Sequence, residues 1–269
     1  MLDFCNLNFV DSHLHLADCK KFENLKEIFS SDCKNFSKYS CLSCSQTENE
    51  FLEQKKLKSE LEKNQNLKIN LAFALHPQNP SLKYLDFLEN LLKTKQISVL
   101  GEMGFDFWGD YKNFQKEQQI LWNTQLELAE FYKIPVVLHF RKGLENIFSS
   151  AARLKNLPGV MFHSFFWAEN EAFSILKKIP TSYFSFGKQL LNENKKSISC
   201  VKSLPLENLL LETDAPFQVL KNENFTSVLQ IFEIYKKAYH FRNPEDEDFK
   251  DFEIFCKSLE TNFYNFYKA

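Results

Sequence analysis

Short runs of apolar residues alternate with longer amphipathic segments along most of this 269-residue chain. The runs are rich in Val, Ile, Leu and Phe, and we predict that each forms a buried β-strand. The eight predicted strands are Phe9–Val10, Tyr39–Cys44, Ile69–Leu75, Ile97–Leu100, Pro135–Phe140, Gly159–Phe162, Ser182–Phe186 and Leu209–Leu211. A strand followed by a helix, repeated about eight times, is the pattern of parallel β-α units.

The segments between the strands carry apolar residues at helical spacing. The clearest predicted helix is Gln115–Lys133, and Leu82–Leu92 and Leu144–Leu154 are similar. From Ser227 onward the pattern is helical, with an interruption at Asn243–Pro244. Eight β-α units of this length are typical of an α/β protein with a (β/α)8 TIM barrel, although an open doubly wound sheet is also compatible with the alternation. We expect a single TIM-barrel hydrolase domain over residues 1–269.

Composition and charge narrow the function classes. The chain has 33 basic and 35 acidic residues, so it has no overall attraction to nucleic acid or to anionic membranes, although a local basic patch is compatible with this balance. No apolar run is long enough to cross a membrane, and the start, MLDFCNLNF, lacks the features of a signal peptide. The seven cysteines are scattered, and we interpret the pair Cys41 and Cys44 as core thiols. We therefore expect a reduced, cytoplasmic protein, and a monomer.

Potential metal ligands follow several of the predicted strands. In a parallel barrel the catalytic side chains lie at the carboxyl ends of the strands. The candidates are Asp11, His13 and His15 after the first strand, His76 after the third, Glu102 after the fourth, His139 and Arg141 after the fifth, His163 after the sixth and Asp214 after the eighth. Of the six histidines, only His240 falls elsewhere. A lone histidine is more often a core residue than a ligand, but five at equivalent strand ends predict a shared site.

His13 and His15 are spaced as two ligands of one ion. Residues two apart on a strand point to the same side, so both imidazoles are predicted to face inward. Four histidines and two carboxylates exceed the needs of one tetrahedral site and suit two adjacent divalent ions, Mg²⁺, Mn²⁺ or Zn²⁺, that share a carboxylate. The chemistry expected of such a pair is hydrolysis by an activated water, with a nearby Asp as proton acceptor. The chain has no nucleophile-elbow sequence and no P-loop, which disfavours competing chemistries.

Six motifs carry a family resemblance. VDSHLHL, LHP, GEMGFD, VVLHFR, FHS and LETDAP occur in this order between residue 10 and residue 216. Together they resemble the TatD family of metal-dependent deoxyribonucleases, within the amidohydrolase-like barrels. The resemblance implies a (β/α)8 barrel that hydrolyses DNA phosphodiesters, often as an exonuclease, with RNA as a further possible substrate.

The resemblance also implies a role for each candidate residue. The ligand positions of the family are all intact: His13, His15 and Asp214 for the first ion, His139 and His163 for the second, and Glu102 between them. Glu102 and Asp214 are implied to be catalytic. His76 and Arg141 match family positions near the substrate phosphate, which a guanidinium can hold with two parallel hydrogen bonds.

Two departures from the family pattern concern the substrate. A motif that resembles HCFSG in the family reads HSFFW at 163–167, and the loop after Asp214 is shortened to FQVLKNENF with little positive charge. Lys188 and Lys221 are candidates to replace that charge. An alternative substrate is therefore a small ester, amide or phosphoester. Aromatic residues that could stack on nucleic-acid bases are Phe105, Phe107, Trp108, Phe166 and Trp167.

Overall fold

Eight parallel β-strands form one sheet whose spatial order is their order along the chain. The computed structural model describes residues 7–30 and 36–267. The strands are β1 (Asn8–Leu14), β2 (Lys38–Ser43), β3 (Leu67–Phe73), β4 (Val99–Asp106), β5 (Val136–Arg141), β6 (Val160–Phe162), β7 (Ser182–Phe186) and β8 (Leu209–Leu211). Each strand pairs in parallel with the next. All eight predicted strands are therefore confirmed.

Two strands extend further than the apolar runs predicted. β1 continues to Leu14 and β4 continues to Asp106. His13 and Glu102 therefore lie inside strands, and the prediction that they follow the strands was wrong. Asp11 likewise lies inside β1, and His139 and Arg141 lie inside β5. Polar residues at the carboxyl end of a barrel strand face the site, so a search for apolar runs ended β1 and β4 too early.

Helices separate the strands, as the periodicity predicted. They are α1 (Leu16–Cys19), α2 (Leu25–Ile28), α3 (Glu48–Leu61), α4 (Leu85–Lys93), α5 (Gln115–Tyr132), α6 (Leu144–Leu154), α7 (Glu169–Lys178), α8 (Lys188–Leu191), α9 (Lys195–Ser203), α10 (Ile231–Arg242) and α11 (Phe252–Tyr267). The helix predicted over Leu82–Leu92 begins with a 3-10 turn at Leu82–Tyr84. The carboxyl-terminal segment forms two helices, α10 and α11, which are separated where the Asn243–Pro244 interruption predicted.

The last strand meets the first at the carboxyl end of the sheet. The backbone N–H of Asp214 donates to the carbonyl of His13 at 3.0 Å, and the N–H of His15 donates to the carbonyl of Ala215 at 2.8 Å. The buried carboxylate of Asp11 accepts hydrogen bonds from the backbone N–H and the hydroxyl of Thr213, at 3.0 and 2.7 Å. These contacts bring β8 to β1 in a nearly closed (β/α)8 barrel, which excludes the open doubly wound sheet.

Two buried glutamines of α5 hold strand ends in place. The side-chain amide of Gln125 pairs with the N–H and the carbonyl of Leu75, at 2.7 and 3.0 Å. The amide of Gln118 pairs in the same way with the backbone of Asp106, at 2.8 and 2.9 Å. Both backbone groups of each residue are therefore satisfied by one side chain, as buried polar groups require. The helix thus fixes the chain just before His76 and at the end of β4.

The described cysteines are all buried and free, and they are Cys19, Cys41, Cys44, Cys200 and Cys256. This confirms the interpretation of the Cys41 and Cys44 pair as core thiols. Within residues 7–30 and 36–267, no helix has the length and apolar character needed to cross a bilayer. The prediction that the chain has no signal peptide rests on a segment whose first six residues lie outside the described residues, and it stays a prediction. The single domain, the monomer and the cytoplasmic location stay predictions.

Gly104 is required where β4 meets β5. Its φ is +142°, and a Cβ atom there would lie 2.1 Å from the carbonyl oxygen of His139. We expect Gly104→Ala to cost about 3 kcal/mol or more, because a strained backbone and a backbone clash add together. At Gly109, where φ is +56° and nothing lies within 4 Å of such a Cβ, Ala should cost only about 1–2 kcal/mol. Urea unfolding of both variants measures the difference, and equal losses would contradict this explanation.

Candidate metal centre

His13, His15 and Asp214 come together at the carboxyl ends of β1 and β8. His13 is the penultimate residue of β1, His15 follows that strand, and Asp214 lies just beyond β8. The Nε2 atoms of the two imidazoles are 3.2 Å apart. Each lies 3.4 Å from Oδ1 of Asp214. Three donor atoms from two strand ends thus surround one point.

The carboxylate of Glu102 lies between this group and a second group of imidazoles. Its Oε1 atom lies 3.6 Å from Nε2 of His13 and 3.3 Å from Nε2 of His15. Its Oε2 atom lies 2.9 Å from Nε2 of His163 and 3.4 Å from Nδ1 of His139. These last two nitrogens are 3.2 Å apart. One carboxylate therefore presents one oxygen to each pair of histidines.

The spacing of these donors fits divalent metal ions. Ligand bonds of about 2.1 Å in a tetrahedron place neighbouring donor atoms about 3.4 Å apart. The distances above lie between 2.9 and 3.6 Å. Among the described residues, the buried Oδ1 atom of Asp214 receives no hydrogen bond, although two imidazole nitrogens lie near it. A cation at this point would satisfy that oxygen.

The two carboxylates of the cluster are ionised. Burial would raise the pKa of Glu102, but the charges and hydrogen bonds of the surrounding histidines outweigh burial and hold this pKa well below its usual range. The same balance lowers the pKa of Asp214, with the nearby imidazoles of His13 and His15 as the main lowering cause. Metal ligation requires the deprotonated carboxylate, so both groups are in the form that binds a cation.

Two further carboxylates lie beside the histidines, and the sequence analysis did not single them out. Oδ2 of Asp106 lies 3.1 Å from Nε2 of His139. A polar partner on the far nitrogen fixes the orientation and the tautomer of a metal-binding imidazole, and Asp106 is such a partner. Oε1 of Glu212 lies 3.8 Å from Nδ1 of His163, beyond hydrogen-bond distance, and accepts from the N–H and the hydroxyl of Ser164. Asp106 belongs to the motif GEMGFD and Glu212 to the motif LETDAP. Their position close in sequence to Glu102 and Asp214 is the signal that could have identified them.

The two predicted substrate-binding residues line the same cleft of about 480 Å³ as the cluster. Nη1 of Arg141 lies 3.8 Å from Oδ2 of Asp106, and its guanidinium lies 5.7 Å from the centre of the Trp108 ring. Nε2 of His76 lies 3.7 Å from Oε2 of Glu102. Burial is the main cause that lowers the pKa of His76 to about 4, so this imidazole is neutral at pH 7.

The lysines considered as replacements for the charge of the shortened loop do not line the cleft. The side chain of Lys188 is buried. Its Nζ atom is paired with the carboxylate of Glu223 and donates to Oε1 of Gln230 at 2.7 Å. Lys221 is exposed and lies outside the lining. In the part of the chain that the structure describes, Arg141 is the only Lys or Arg side chain that lines the cleft.

Of the five aromatic residues that we predicted near strand ends, Phe166 alone lines the cleft. Phe105 is buried, and Phe107 and Trp167 pack partly buried against the core. Trp108 is exposed but lies outside the lining. Three of the five side chains therefore pack against the core, and they are not available to a ligand.

A (β/α)8 barrel with imidazoles and carboxylates at the carboxyl ends of its strands defines the class of metal-dependent hydrolase barrels. The family described as TatD related DNase matches residues 10–268. The chain belongs to this TatD family of metal-dependent hydrolases, and the resemblance seen in the sequence is confirmed.

Relatives cover the chain in part, and a solved structure covers nearly all of it. An uncharacterized metal-dependent hydrolase of Mycoplasma pneumoniae is 31% identical, over 55% of this chain and 60% of that protein. A protein of Pantoea ananatis named 3'-5' ssDNA/RNA exonuclease TatD is 30% identical, over 53% of this chain and 56% of that protein. The chain thus spans little more than half the length of these relatives. The TatD homologue YjjV of Escherichia coli has the same fold, with a TM-score of 0.78, 24% identity and coverage of 97% and 98% of the two chains.

Proposed function

We propose that the protein is a two-metal phosphodiesterase that removes nucleotides from the ends of DNA, with RNA as a further substrate. The observation that carries the proposal is the placement of Glu102, whose two oxygens face two separate pairs of histidines. A shared carboxylate of this kind suits two ions about 3.5–4 Å apart, the arrangement used in many phosphoryl hydrolases. The family to which the chain belongs supports metal-dependent hydrolysis.

Each residue of the cluster has a role in this proposal. The residues that would hold the ions are His13, His15 and Asp214 for one, His139 and His163 for the other, and Glu102 for both. When bound, the ions would activate a water molecule and offset charge on the phosphate. Asp214, whose carboxylate is ionised and lies in the cleft, would be the acceptor for a proton of the attacking water. Its Oδ2 atom is oriented by a hydrogen bond of 2.8 Å from the amide of Gln218.

Arg141 and His76 orient the phosphate of the substrate. The planar guanidinium of Arg141 matches a phosphate with two parallel hydrogen bonds. Nδ1 of His76 accepts a hydrogen bond from the backbone N–H of Gln78 at 3.2 Å, so the proton of the neutral ring is on Nε2. His76 therefore acts as a hydrogen-bond donor and adds no charge. The exonuclease name of the Pantoea ananatis relative supports a nucleic acid as substrate.

A second candidate function keeps the hydrolase and replaces the substrate by a small ester, amide or phosphoester. The observation that favours it is the ion pair between Lys188 and Glu223, which removes a cation from the cleft. A long polyanion is bound mainly through several cationic contacts, and a small substrate does not need them.

Metal analysis combined with a nuclease assay tests the proposal. We expect the purified protein to contain close to two equivalents of a divalent metal and to shorten single-stranded DNA with Mg²⁺ or Mn²⁺. His13→Ala should lower the metal content and abolish the activity, because one ligand of the first ion is lost. His240→Ala is the matched control, since this exposed histidine lies outside the cluster. A folded, metal-loaded wild type that digests no oligonucleotide with any of several metals would rule out the nuclease, and a screen of small esters would then test the second function.

A further inference from the structure

Three phenylalanines line the cleft, and two of them, Phe166 and Phe217, are exposed and have no part in the chemistry proposed above, whereas Phe140 is buried. Phe166 follows β6 and is 39% exposed, and Phe217 follows β8 and is 48% exposed. The ring of Phe217 lies edge to face against His15, with centroids 5.0 Å apart. The ring of Phe166 lies 5.1 Å from that of Trp167. Each ring is thus anchored by a neighbour, while a large part of it stays open to the cleft.

Away from the metal cluster, the rest of the lining is polar but nearly uncharged. It includes four glutamines, which are Gln46, Gln78, Gln189 and Gln218. Arg141 is its one guanidinium or ammonium group among the described residues. A groove that follows a nucleic-acid backbone needs a row of cations, because each phosphate contact adds electrostatic affinity. This cleft therefore offers one side-chain cation, Arg141, for one phosphate group. Its aromatic and amide side chains are left to contact the rest of the ligand.

We propose that Phe166 and Phe217 bind the base of the nucleotide at the end of the strand. This inference rests on the proposed phosphodiesterase function and specifies its substrate. The protein would recognise one terminal nucleotide through its base and one phosphate, and would gain little from a longer backbone. A base of any identity can stack on an aromatic face, so the site tolerates different sequences. Glutamine amides both donate and accept hydrogen bonds, which suits the edges of bases.

The size of the cleft and the local sequence agree with this assignment. A cleft of about 480 Å³ lies in the range that holds one small molecule. The segment HSFFW places Phe166 where the HCFSG-like motif of the family has a serine, so this chain has a large aromatic ring at a position that is small in the motif. That substitution adds stacking surface beside Ser164 and His163 without adding charge.

Equilibrium binding tests the base contact without requiring catalysis. The probes are thymidine 5'-monophosphate and 2-deoxyribose 5-phosphate, which differ only by the base, and titration calorimetry with the metal-loaded protein gives both dissociation constants. We expect the wild type to bind the nucleotide about 5- to 150-fold more tightly, the range for stacking one base on an aromatic ring. Phe217→Ala and Phe166→Ser should each lose most of this preference and keep the affinity for the sugar phosphate.

Two controls separate the loss of a contact from a disturbed site. Phe131→Ala removes a phenylalanine that is 78% exposed on α5 and outside the cleft, so it should retain the full preference. The metal content of each variant should equal that of the wild type, because Phe217 touches His15 and a shifted ligand would release metal. A wild type without preference for the nucleotide, or cleft variants that keep the preference, would overturn the inference.

Cleavage of matched oligonucleotides distinguishes this inference from the proposed function. Two single-stranded substrates are compared, one with a normal terminal nucleotide and one with an abasic terminal residue. We expect the wild type to cleave the normal end faster, and Phe217→Ala to cleave both ends at the same low rate. Equal cleavage of both ends by the wild type would refute the base subsite and leave the phosphodiesterase intact. Failure to cleave either substrate, with the preference for the nucleotide present in binding, would refute the phosphodiesterase and retain the subsite.

Discussion

Glu102→Gln is expected to lower kcat for metal-dependent hydrolysis by about a thousandfold or more, because in the proposed function Glu102 holds both ions and its loss would forfeit several kcal/mol of transition-state stabilisation. The amide has nearly the same shape as the carboxylate but has no negative charge. Oε1 and Oε2 of Glu102 each face two imidazoles at 2.9 to 3.6 Å, so one substitution weakens both halves of the cluster. Steady-state kinetics on single-stranded DNA, together with metal analysis, measures the effect.

Glu117→Gln is the matched control for this experiment. Glu117 is an exposed glutamate in the first turn of α5 and does not line the cleft. The same chemical change there should leave kcat, metal content and melting temperature unaltered, since surface substitutions usually change stability by less than about 0.5 kcal/mol. If Glu102→Gln kept a tenth or more of the wild-type kcat at saturating metal, Glu102 would not be the residue shared by the two ions.

Removal of metal is expected to lower the melting temperature by about 5–10 °C. A ligand at a hundred times its dissociation constant stabilises the folded state by about 2.7 kcal/mol, and each kcal/mol corresponds to about 2–4 °C for a chain of roughly this size. The physical reason is that the ionised carboxylates of Glu102 and Asp214 are buried near the same two imidazoles, those of His13 and His15, and would be neutralised by the ions. Calorimetric scans with chelator and with added Mn²⁺ measure the shift.

This shift in melting temperature should grow as the pH rises from about 6.5 to about 9. Burial lowers the pKa of His15, but the nearby carboxylates of Asp214 and Glu102 outweigh burial and raise this pKa to about 9. Protonation of His15 stabilises the metal-free folded state fully when the pH is below about 6.5, the pKa of histidine in the unfolded chain. This stabilisation is lost as the pH rises toward 9, the pKa in the folded state. Metal binding has the opposite dependence, because His15 must lose its proton to act as a ligand. His240→Ala should keep the whole shift, whereas a shift that was independent of pH would argue against His15 as a ligand.

The strand pattern and the order of the ligands were predictable from local sequence. Buried parallel strands are apolar on both faces, so their runs stand out against helices with a period of 3.6 residues. All eight strands were found in this way, and a barrel requires that their carboxyl ends share one rim. His13 and Asp214, which are about 200 residues apart in the sequence, could therefore be assigned to one site. In the structure Nε2 of His13 lies 3.4 Å from Oδ1 of Asp214. Their roles as ligands stay a prediction.

The environment of each side chain depended on contacts between distant segments. Nothing in the local sequence distinguishes Lys188, which is buried against Glu223, from an exposed lysine that could hold a phosphate. The local sequence also does not distinguish the aromatic residues by exposure. Phe105 is buried in the core, whereas Phe166 and Phe217 are exposed in the cleft.

The amino-acid sequence thus determined the barrel, the family and the residues that gather at its rim, because periodicity and motif order are properties of neighbours along the chain. The tertiary structure decided which oxygen of Glu102 faces which imidazole, which cations reach the cleft and which rings stay open to a ligand. These properties arise where segments far apart in the chain pack against each other, and packing of that kind leaves no periodic trace in the sequence.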